Sequence, residues 1–212
     1  MARTGGDYSS QEALPVPARV VVFLDWQNVY NGAREMFCTQ QAPHWRGQVD
    51  PVALARHLAG DSPFDRQLHQ VRIYRGQPDG KLDPRGYSAS RRQHATWQRS
   101  PLVTLVTRPL RYPQGWPTRS RVGERPQEKG IDVALAIDFV VMAVRKELDV
   151  GILMSTDTDM KPALEASRGS PLHKAHERKS EPGAFRVGIV EGCQSSRATS
   201  TAIGSARTYI SR

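Results

Sequence analysis

The feature that most constrains the fold is an uninterrupted apolar run near the start of the chain. Residues 19–25 read RVVVFLD, so every position from Val20 to Leu24 is apolar and the run ends at Asp25. A strand with apolar residues at consecutive positions is typical of a parallel sheet that is buried on both faces. We therefore expect the chain to form an α/β fold.

Strand-like and helix-like segments alternate after this first run. The alternation implies right-handed crossovers, a mostly parallel sheet and helices on both of its faces. Further strands are predicted at 70–75, 102–107, 150–154 and 185–190, and helices at 28–36 with Asn28 as the cap, 51–58, 87–98, 131–148 and from Pro162 onwards.

The domain organisation follows from the segments that lack these patterns. Residues 1–18 are polar and contain Gly and Pro, so we expect a disordered lead-in, followed by a single domain over 19–212. A long basic loop at about 111–128 interrupts the domain, and it is either a functional insertion or a solvated one. A second basic segment, 168–181, is predicted to be a loop in which His173 and His176 are solvated.

The overall charge favours a polyanionic partner. Lys and Arg total 30 against 21 Asp and Glu, which gives a formal net charge of +9. Cys38 and Cys193 indicate neither a zinc site nor a disulfide scaffold, so a reducing cytoplasm is the expected location. No apolar run is long enough for a membrane span or a signal peptide, so we expect no membrane association.

Four aspartates follow strands or begin a helix. Asp25 ends the first strand, Asp157 and Asp159 follow the fourth, and Asp132 stands at the start of the long helix. If the first and fourth strands pair, these carboxylates share one edge of the sheet, where ligands bind in such folds. Clustered carboxylates repel one another unless a cation neutralises them, and Mg²⁺ prefers oxygen ligands. The expected chemistry is metal-assisted attack on a phosphodiester, because the histidines form no HExxH motif and no catalytic triad.

Each of these carboxylates also has a purely structural interpretation. Asp25 or Asp132 could cap a helix, and Asp157 with Asp159 could form an Asx-turn. The occurrence of four together favours the metal site. Asp138 lies inside the apolar helix on a different face, so we expect it either to support the metal-binding aspartates through hydrogen bonds or to be a fifth acidic residue of the site.

Three blocks of the sequence resemble the signature blocks of NYN domains, which belong to the PIN-like nuclease superfamily. The blocks are FLDWQNVY at 23–30, EKGIDVALAID at 128–138 and ILMSTDTDMKP at 152–162. The resemblance covers about residues 19–210. It implies a three-layer α/β/α Rossmann-like sandwich and a ribonuclease that depends on Mg²⁺ or Mn²⁺.

The resemblance also implies roles for individual residues. The positions that match catalytic, metal-binding acidic residues are Asp25, Asp132, Asp157 and Asp159, and the supporting positions are Asn28, Asp138 and Ser155. Thr156 stands where the family often has glycine. The basic residues near these blocks would hold RNA phosphates, and Tyr112 or Trp116 would stack a base; the basic set is Lys129, Arg119, Arg121 and Arg125.

Two other classes of function stay open at this point. The first is a catalytically silent RNA-binding or regulatory module with the same fold. The second is another Mg²⁺-dependent phosphotransfer enzyme, of the haloacid-dehalogenase or topoisomerase-primase type, which fits less well because Asp25 comes early and the Asp-x-Asp pair late. The expected partner is single-stranded or structured RNA, and a homodimer is left open.

Overall fold

The computed structural model describes most of the chain up to residue 192. The described residues are 16–39, 41–43, 45–62, 64–118, 123–155, 157–168, 173–178 and 186–192. The lead-in predicted for residues 1–18 lies outside this range except for its last residues, where the first strand begins. The tail beyond 192 also lies outside it.

A six-stranded sheet forms the centre of the described fold, in the order β3-β2-β1-β4-β6-β5. The first four strands in that order are parallel, and β6 runs antiparallel to both β4 and β5. The mostly parallel sheet expected from the sequence is therefore confirmed. The strands are β1 Ala18–Asp25, β2 Arg66–Gln77, β3 Val103–Pro109, β4 Val150–Ser155, β5 His173–Arg178 and β6 Arg186–Gly192.

Helices cover both faces of the sheet because β1 alternates its buried side chains between them. Val20, Val22 and Leu24 pack on one face, whereas Val21 and Phe23 pack on the other. The first face is covered by α1, α2 and α3, and the second by α4 and α5. The helices are α1 Trp26–Phe37, α2 Pro51–Gly60, α3 Pro84–Trp97, α4 Ile131–Val144 and α5 Lys161–Arg168, with a short 3-10 helix at Thr158–Met160.

The strand β5 corrects the sequence prediction. The segment was expected to be a basic loop, but His173 and His176 lie in an edge strand that pairs with β6. Its sequence, HKAHER, has no apolar alternation, so no strand was predicted. The strand forms through backbone pairing with β6, and charged residues are common on edge strands.

The start of α1 is a second correction. Asn28 was predicted to cap this helix, but the helix already begins at Trp26 and its N-cap is Asp25, which confirms the capping role considered for Asp25 from the sequence. The Asp25 carboxylate accepts a hydrogen bond from the Asn28 backbone N–H at 3.2 Å. The strand therefore turns into the helix without a linker, which a periodicity pattern does not reveal.

This topology places several chain segments at one edge of the sheet. Strands β1, β2 and β4 are parallel, so their last residues, Asp25, Gln77 and Ser155, lie at the same edge. The chain leaves β1 towards β2 and β3 on one side and later returns to β4 on the other side. The strand order therefore reverses between β1 and β4, which is where ligands bind in open α/β sheets.

Candidate acidic site at the carboxyl edge of the sheet

Asp25 is a buried carboxylate at the centre of this edge. Its residue is only 3% exposed. The Asn28 side-chain amide donates to Asp25 Oδ2 at 2.7 Å, in addition to the capping bond from the Asn28 backbone. The pKa of Asp25 is raised to about 6: burial raises it most, the negative charges of Asp132 and Glu128 also raise it, and the hydrogen bonds from Asn28 lower it. The site thus holds a carboxylate whose charge is disfavoured by its surroundings.

Asn28 also ties the end of β1 to the turn that follows β4. Its amide donates to Ser155 Oγ at 3.0 Å, and Ser155 Oγ lies 3.5 Å from Asp25 Oδ2. Ser155 Oγ in turn accepts from the Asp157 backbone N–H at 3.1 Å. The Asp157 carboxylate accepts from the Asp159 backbone N–H at 2.9 Å, which is the Asx-turn considered from the sequence. One hydrogen-bonded chain therefore positions the ends of both strands.

Thr156, the residue that departs from the family pattern, lies outside the described residues. Asp157 is half-buried and Asp159 is exposed, on either side of the start of the 3-10 helix. The two aspartates thus follow directly from the strand that pairs with β1.

Asp132 joins the site from the other side of the sheet edge. It lies in the first turn of α4 and does not cap it, because the N-cap is Gly130. Gly130 has φ +73°, a left-handed backbone conformation that favours glycine. The Asp132 side chain is largely exposed, yet partial burial and the charges of Asp157 and Asp159 raise its pKa. These shifts mean that the predicted aspartates influence one another electrostatically.

Glu128 is a further carboxylate that the sequence analysis did not assign. Its Oε1 accepts from the Gly76 backbone N–H at 2.6 Å, and the Gln27 amide, when its nitrogen is assigned to the side facing Glu128, donates to both carboxylate oxygens at 3.3 Å. Burial raises the pKa of Glu128, the bond from Gly76 and the charge of Arg75 lower it, and Asp132 raises it. The available signal was Gly76: a glycine near a strand end often marks a close approach, and a Cβ there would lie 2.8 Å from Glu128 Cγ.

Asp138 faces a different part of the fold. It accepts from Arg72 Nη2 at 2.6 Å and from the Tyr74 hydroxyl at 2.8 Å, which attaches α4 to β2. None of the contacts described for Asp138 joins it to Asp25 or to the other acidic residues. Asp138 therefore contributes to the packing of α4 against the sheet.

The basic residues that were predicted to bind RNA are only partly described. Lys129 and Arg125 are exposed on the segment that leads into α4, whereas Arg119 and Arg121 lie outside the described residues. The base of the long loop is closed by paired backbone hydrogen bonds between Arg111 and Gln127, each 2.9 Å long.

The loop aromatics contact each other and the end of β2. The rings of Tyr112 and Trp116 are 5.9 Å apart, and the Tyr112 hydroxyl accepts from the Asp79 backbone N–H at 3.0 Å. Whether either ring stacks a base stays a prediction.

The donor set of the site fits a hard divalent cation. Over the described ranges, no group of three or more His, Cys, Asp and Glu side chains is close enough to hold one ion together. Mg²⁺, however, commonly takes only one or two protein carboxylates and keeps several waters. The charged donors of the site are carboxylates, and burial, together with their mutual repulsion, raises the pKa values of Asp25, Glu128 and Asp132. Oxygen donors of this kind suit Mg²⁺ and Mn²⁺.

The fold and its acidic edge define an α/β protein of the PIN-like nuclease class. The NYN domain family model matches residues 19–172, which is well over half of the chain, and the protein belongs to this family. The family has a nuclease-like fold of the ribonuclease type, its nuclease domains act on RNA, and PIN-like nucleases generally use divalent metals.

Other comparisons add little to the family assignment. No curated protein matches the chain. The solved structures that match it include a human methyltransferase 10 domain containing protein and a delta-N METTL16 MTase domain. Each is 13% identical, with 88% of this chain and 76% of the other chain covered, at a TM-score of 0.27. Such a TM-score supports no conclusion about fold or function.

Two further expectations concern assembly and membranes. The homodimer left open from the sequence gains no support from these comparisons. Among the described helices, none is long and apolar enough to cross a membrane.

Proposed function

We propose that this protein is a metal-dependent endoribonuclease, which hydrolyses RNA phosphodiester bonds at the carboxyl edge of its sheet. The observation that carries the proposal is the position of Asp25. It is buried at the strand-order reversal, and its pKa is raised to about 6 by burial and by the charges of Asp132 and Glu128. A protein that places carboxylates together at a ligand-binding edge provides a binding site for cations.

The aspartates would bind the metal ion, and two neighbouring polar residues would hold them in position. Asp25, Asp132, Asp157 and Asp159 would hold Mg²⁺ or Mn²⁺, directly or through water. When bound, the ion would supply an activated water and stabilise the charge that develops on the phosphate. Asn28 and Ser155 fix Asp25 and the turn after β4 through hydrogen bonds of 2.7 and 3.1 Å, so these groups are positioned before any substrate arrives.

The substrate assignment rests on the charge pattern and on the family. The whole chain has a formal net charge of +9, although this edge of the sheet is acidic. Lys129 and Arg125 are exposed beside α4, where they would hold phosphates on either side of the cleaved bond, together with Arg119 and Arg121. RNA is the polyanion that NYN nuclease domains act on.

The test uses labelled RNA in linear and circular forms, with Mg²⁺, Mn²⁺ or EDTA. We expect cleavage of both forms with metal and none in EDTA, since a circle offers no end to an exonuclease. Asp132→Asn and Asp157→Asn should each lower kcat by about 100-fold or more, the size of loss seen when a charge-stabilising group is removed. Asp65→Asn, which changes an exposed residue just before β2 at the opposite edge of the sheet, is the matched control and should leave kcat near the wild-type value.

The alternative of a catalytically silent RNA-binding module is decided by the same experiment. RNA binding without cleavage in any metal would favour that module. Cleavage that persists in EDTA, or that is unchanged in both variants, would remove the proposed roles of these aspartates.

A further inference from the structure

A cavity of about 890 Å³ lies beside the acidic site, on the first face of the sheet. It is bounded by α1, by the connection between α1 and α2, by α3 and by the end of β2. We propose that this cavity receives one unstacked base of the RNA, next to the phosphate that is cleaved. The inference rests on the proposed ribonuclease function, because it assigns a substrate subsite to that reaction.

Aromatic side chains form the apolar walls of the cavity. Three of the four tryptophans in the chain line it, namely Trp26, Trp45 and Trp97. Trp26 and Trp97 are buried and pack edge to face with ring centroids 4.3 Å apart. Trp45 is 70% exposed at the rim, so its ring is accessible to a base that enters the cavity. Aromatic platforms of this kind bind single-stranded RNA by stacking its bases.

Polar side chains on another wall can read the edge of a base. Arg75 Nη1 donates to the Gln93 side chain, which donates in turn to Gln48. The Nε of Arg75 is buried and has no hydrogen-bond partner. A base carries carbonyl oxygens and ring nitrogens, which are acceptors that this donor lacks. The cavity therefore combines stacking surfaces with an unpaired donor and amide groups.

Two residues connect the cavity to the acidic site. Glu128 lines the cavity, and its charge raises the pKa of Asp25. Gln27 also lines the cavity, and its amide, with the nitrogen assigned toward Glu128, donates to that carboxylate. A base held in the cavity would therefore have its own backbone phosphates near the acidic edge. The volume lies within the range of small-molecule sites, so it can accept a nucleotide.

The experiment separates base binding from cleavage. Each of the four ribonucleoside monophosphates is titrated into the full chain while tryptophan fluorescence is recorded, and KM is measured for a short single-stranded RNA. Trp45→Ala removes the exposed ring without disturbing the core. Phe64→Ala is the matched control, because Phe64 is 63% exposed and precedes β2 at the opposite edge of the sheet.

We expect at least one nucleotide to quench the fluorescence. Trp45→Ala should weaken its binding and raise KM by roughly tenfold, the usual effect of one lost stacking contact, while Phe64→Ala changes neither. Gln93→Ala should alter the relative affinities of the four nucleotides.

The failure of this inference can be told apart from failure of the ribonuclease assignment. RNA cleavage without nucleotide quenching, and with an unchanged KM in Trp45→Ala, would overturn the base subsite and leave the ribonuclease intact. Nucleotide quenching that is lost in Trp45→Ala, in a protein that cleaves no RNA with any metal, would support base binding in the cavity and overturn the ribonuclease.

Discussion

The buried carboxylate of Asp25 couples the function of the site to the stability of the protein. Its pKa is raised from 3.8 to about 6 in the folded state, so the folded state binds this proton more tightly than the unfolded state does. The contribution of Asp25 therefore becomes less favourable as pH rises from about 4 to about 6. A rise of the pKa from 3.8 to about 6 corresponds to roughly 2 to 3 kcal/mol. Above about pH 6 the ionised Asp25 therefore lowers the free energy of unfolding by an amount of this order.

Asp25→Asn should therefore stabilise the metal-free protein. Asparagine is as good an N-cap as aspartate, so α1 keeps its capping residue. We expect the free energy of unfolding of the variant to exceed that of the wild type by about 1 to 3 kcal/mol at pH 7 in EDTA. The difference should vanish below about pH 4. Urea unfolding of both proteins across this pH range measures the effect.

The control for this expectation is Asp50→Asn. Asp50 caps α2 with an exposed side chain, so its charge stays hydrated in the folded state. Removing this charge should therefore give no comparable increase in the free energy of unfolding. A wild type that is as stable as Asp25→Asn at pH 7 would show that the buried charge carries no such cost.

Glu128 is expected to matter for catalysis without being needed for folding. In Glu128→Gln the amide oxygen can still accept from the Gly76 N–H, so the loop should stay attached to β2. The negative charge beside Asp25 and Asp132 is lost. We expect kcat for RNA cleavage to fall by about tenfold or more while the free energy of unfolding changes little.

Glu147→Gln provides the comparison for Glu128. Glu147 lies after α4 with an exposed side chain and pairs only loosely with Arg145, at 3.9 Å. Its replacement should leave kcat unchanged. Equal activity of Glu128→Gln and Glu147→Gln would remove Glu128 from the site.

At the scale of elements, Asp138 shows how a motif position can serve packing. It pairs with Arg72, whose side chain is only 17% exposed, and it accepts a hydrogen bond from the buried Tyr74. Replacing it with asparagine leaves the Arg72 charge without its partner on α4. We expect Asp138→Asn to lower the free energy of unfolding by about 1 to 3 kcal/mol, with kcat close to that of the wild type below the unfolding temperature.

Asp132→Asn on the same helix should have the opposite effects. Asp132 is largely exposed and faces the other acidic residues, so its loss should lower kcat and leave unfolding nearly unchanged. A large loss of kcat in Asp138→Asn, without loss of stability, would place Asp138 in the site after all.

The elements predicted best from the sequence are those whose pattern is local. The continuous apolar run identified β1, and the broad apolar surface identified α4 to within a few residues of its end at Val144. The strand β5 was missed because its charged sequence forms a strand only through its partner β6. Local patterns cannot report pairing that depends on a distant segment.

The residues of the candidate site show the same difference between features set by local sequence and features set by distant contacts. Parallel pairing of β1 with β4 was enough to place Asp25 and Asp157 at one edge. Glu128 was not found, because its place depends on the long loop folding back so that its carboxylate contacts Gly76, 52 residues earlier. For the N-cap of α1 the sequence offered both Asn28 and Asp25, because it does not show where the turn after β1 ends, and the structure places the cap at Asp25.

At the scale of the whole molecule, the protein combines a formal net charge of +9 with an acidic edge. Basic residues attract RNA over a longer range than the local acidic cluster repels it, provided that cations neutralise the cluster. Binding of single-stranded nucleic acid releases counterions, and the logarithm of affinity falls with the logarithm of salt at about −0.7 per phosphate contact. A protein with three or four such contacts should thus give a slope of about −2 to −3.

We expect this slope for a single-stranded RNA and a much shallower one for a nucleoside monophosphate in the cavity, because a mononucleotide has no condensed counterions to release. Arg125→Ala should make the slope for RNA shallower by about 0.7, the contribution of one phosphate contact. Arg125 is exposed on the segment that leads into α4, where it is proposed to hold a phosphate. Arg145→Ala is the control of equal charge, since Arg145 is exposed at the far end of α4, away from the acidic edge. Fluorescence anisotropy over a salt series measures both slopes. Equal effects of the two substitutions would mean that RNA responds to the total charge of the protein and not to a path across the acidic edge.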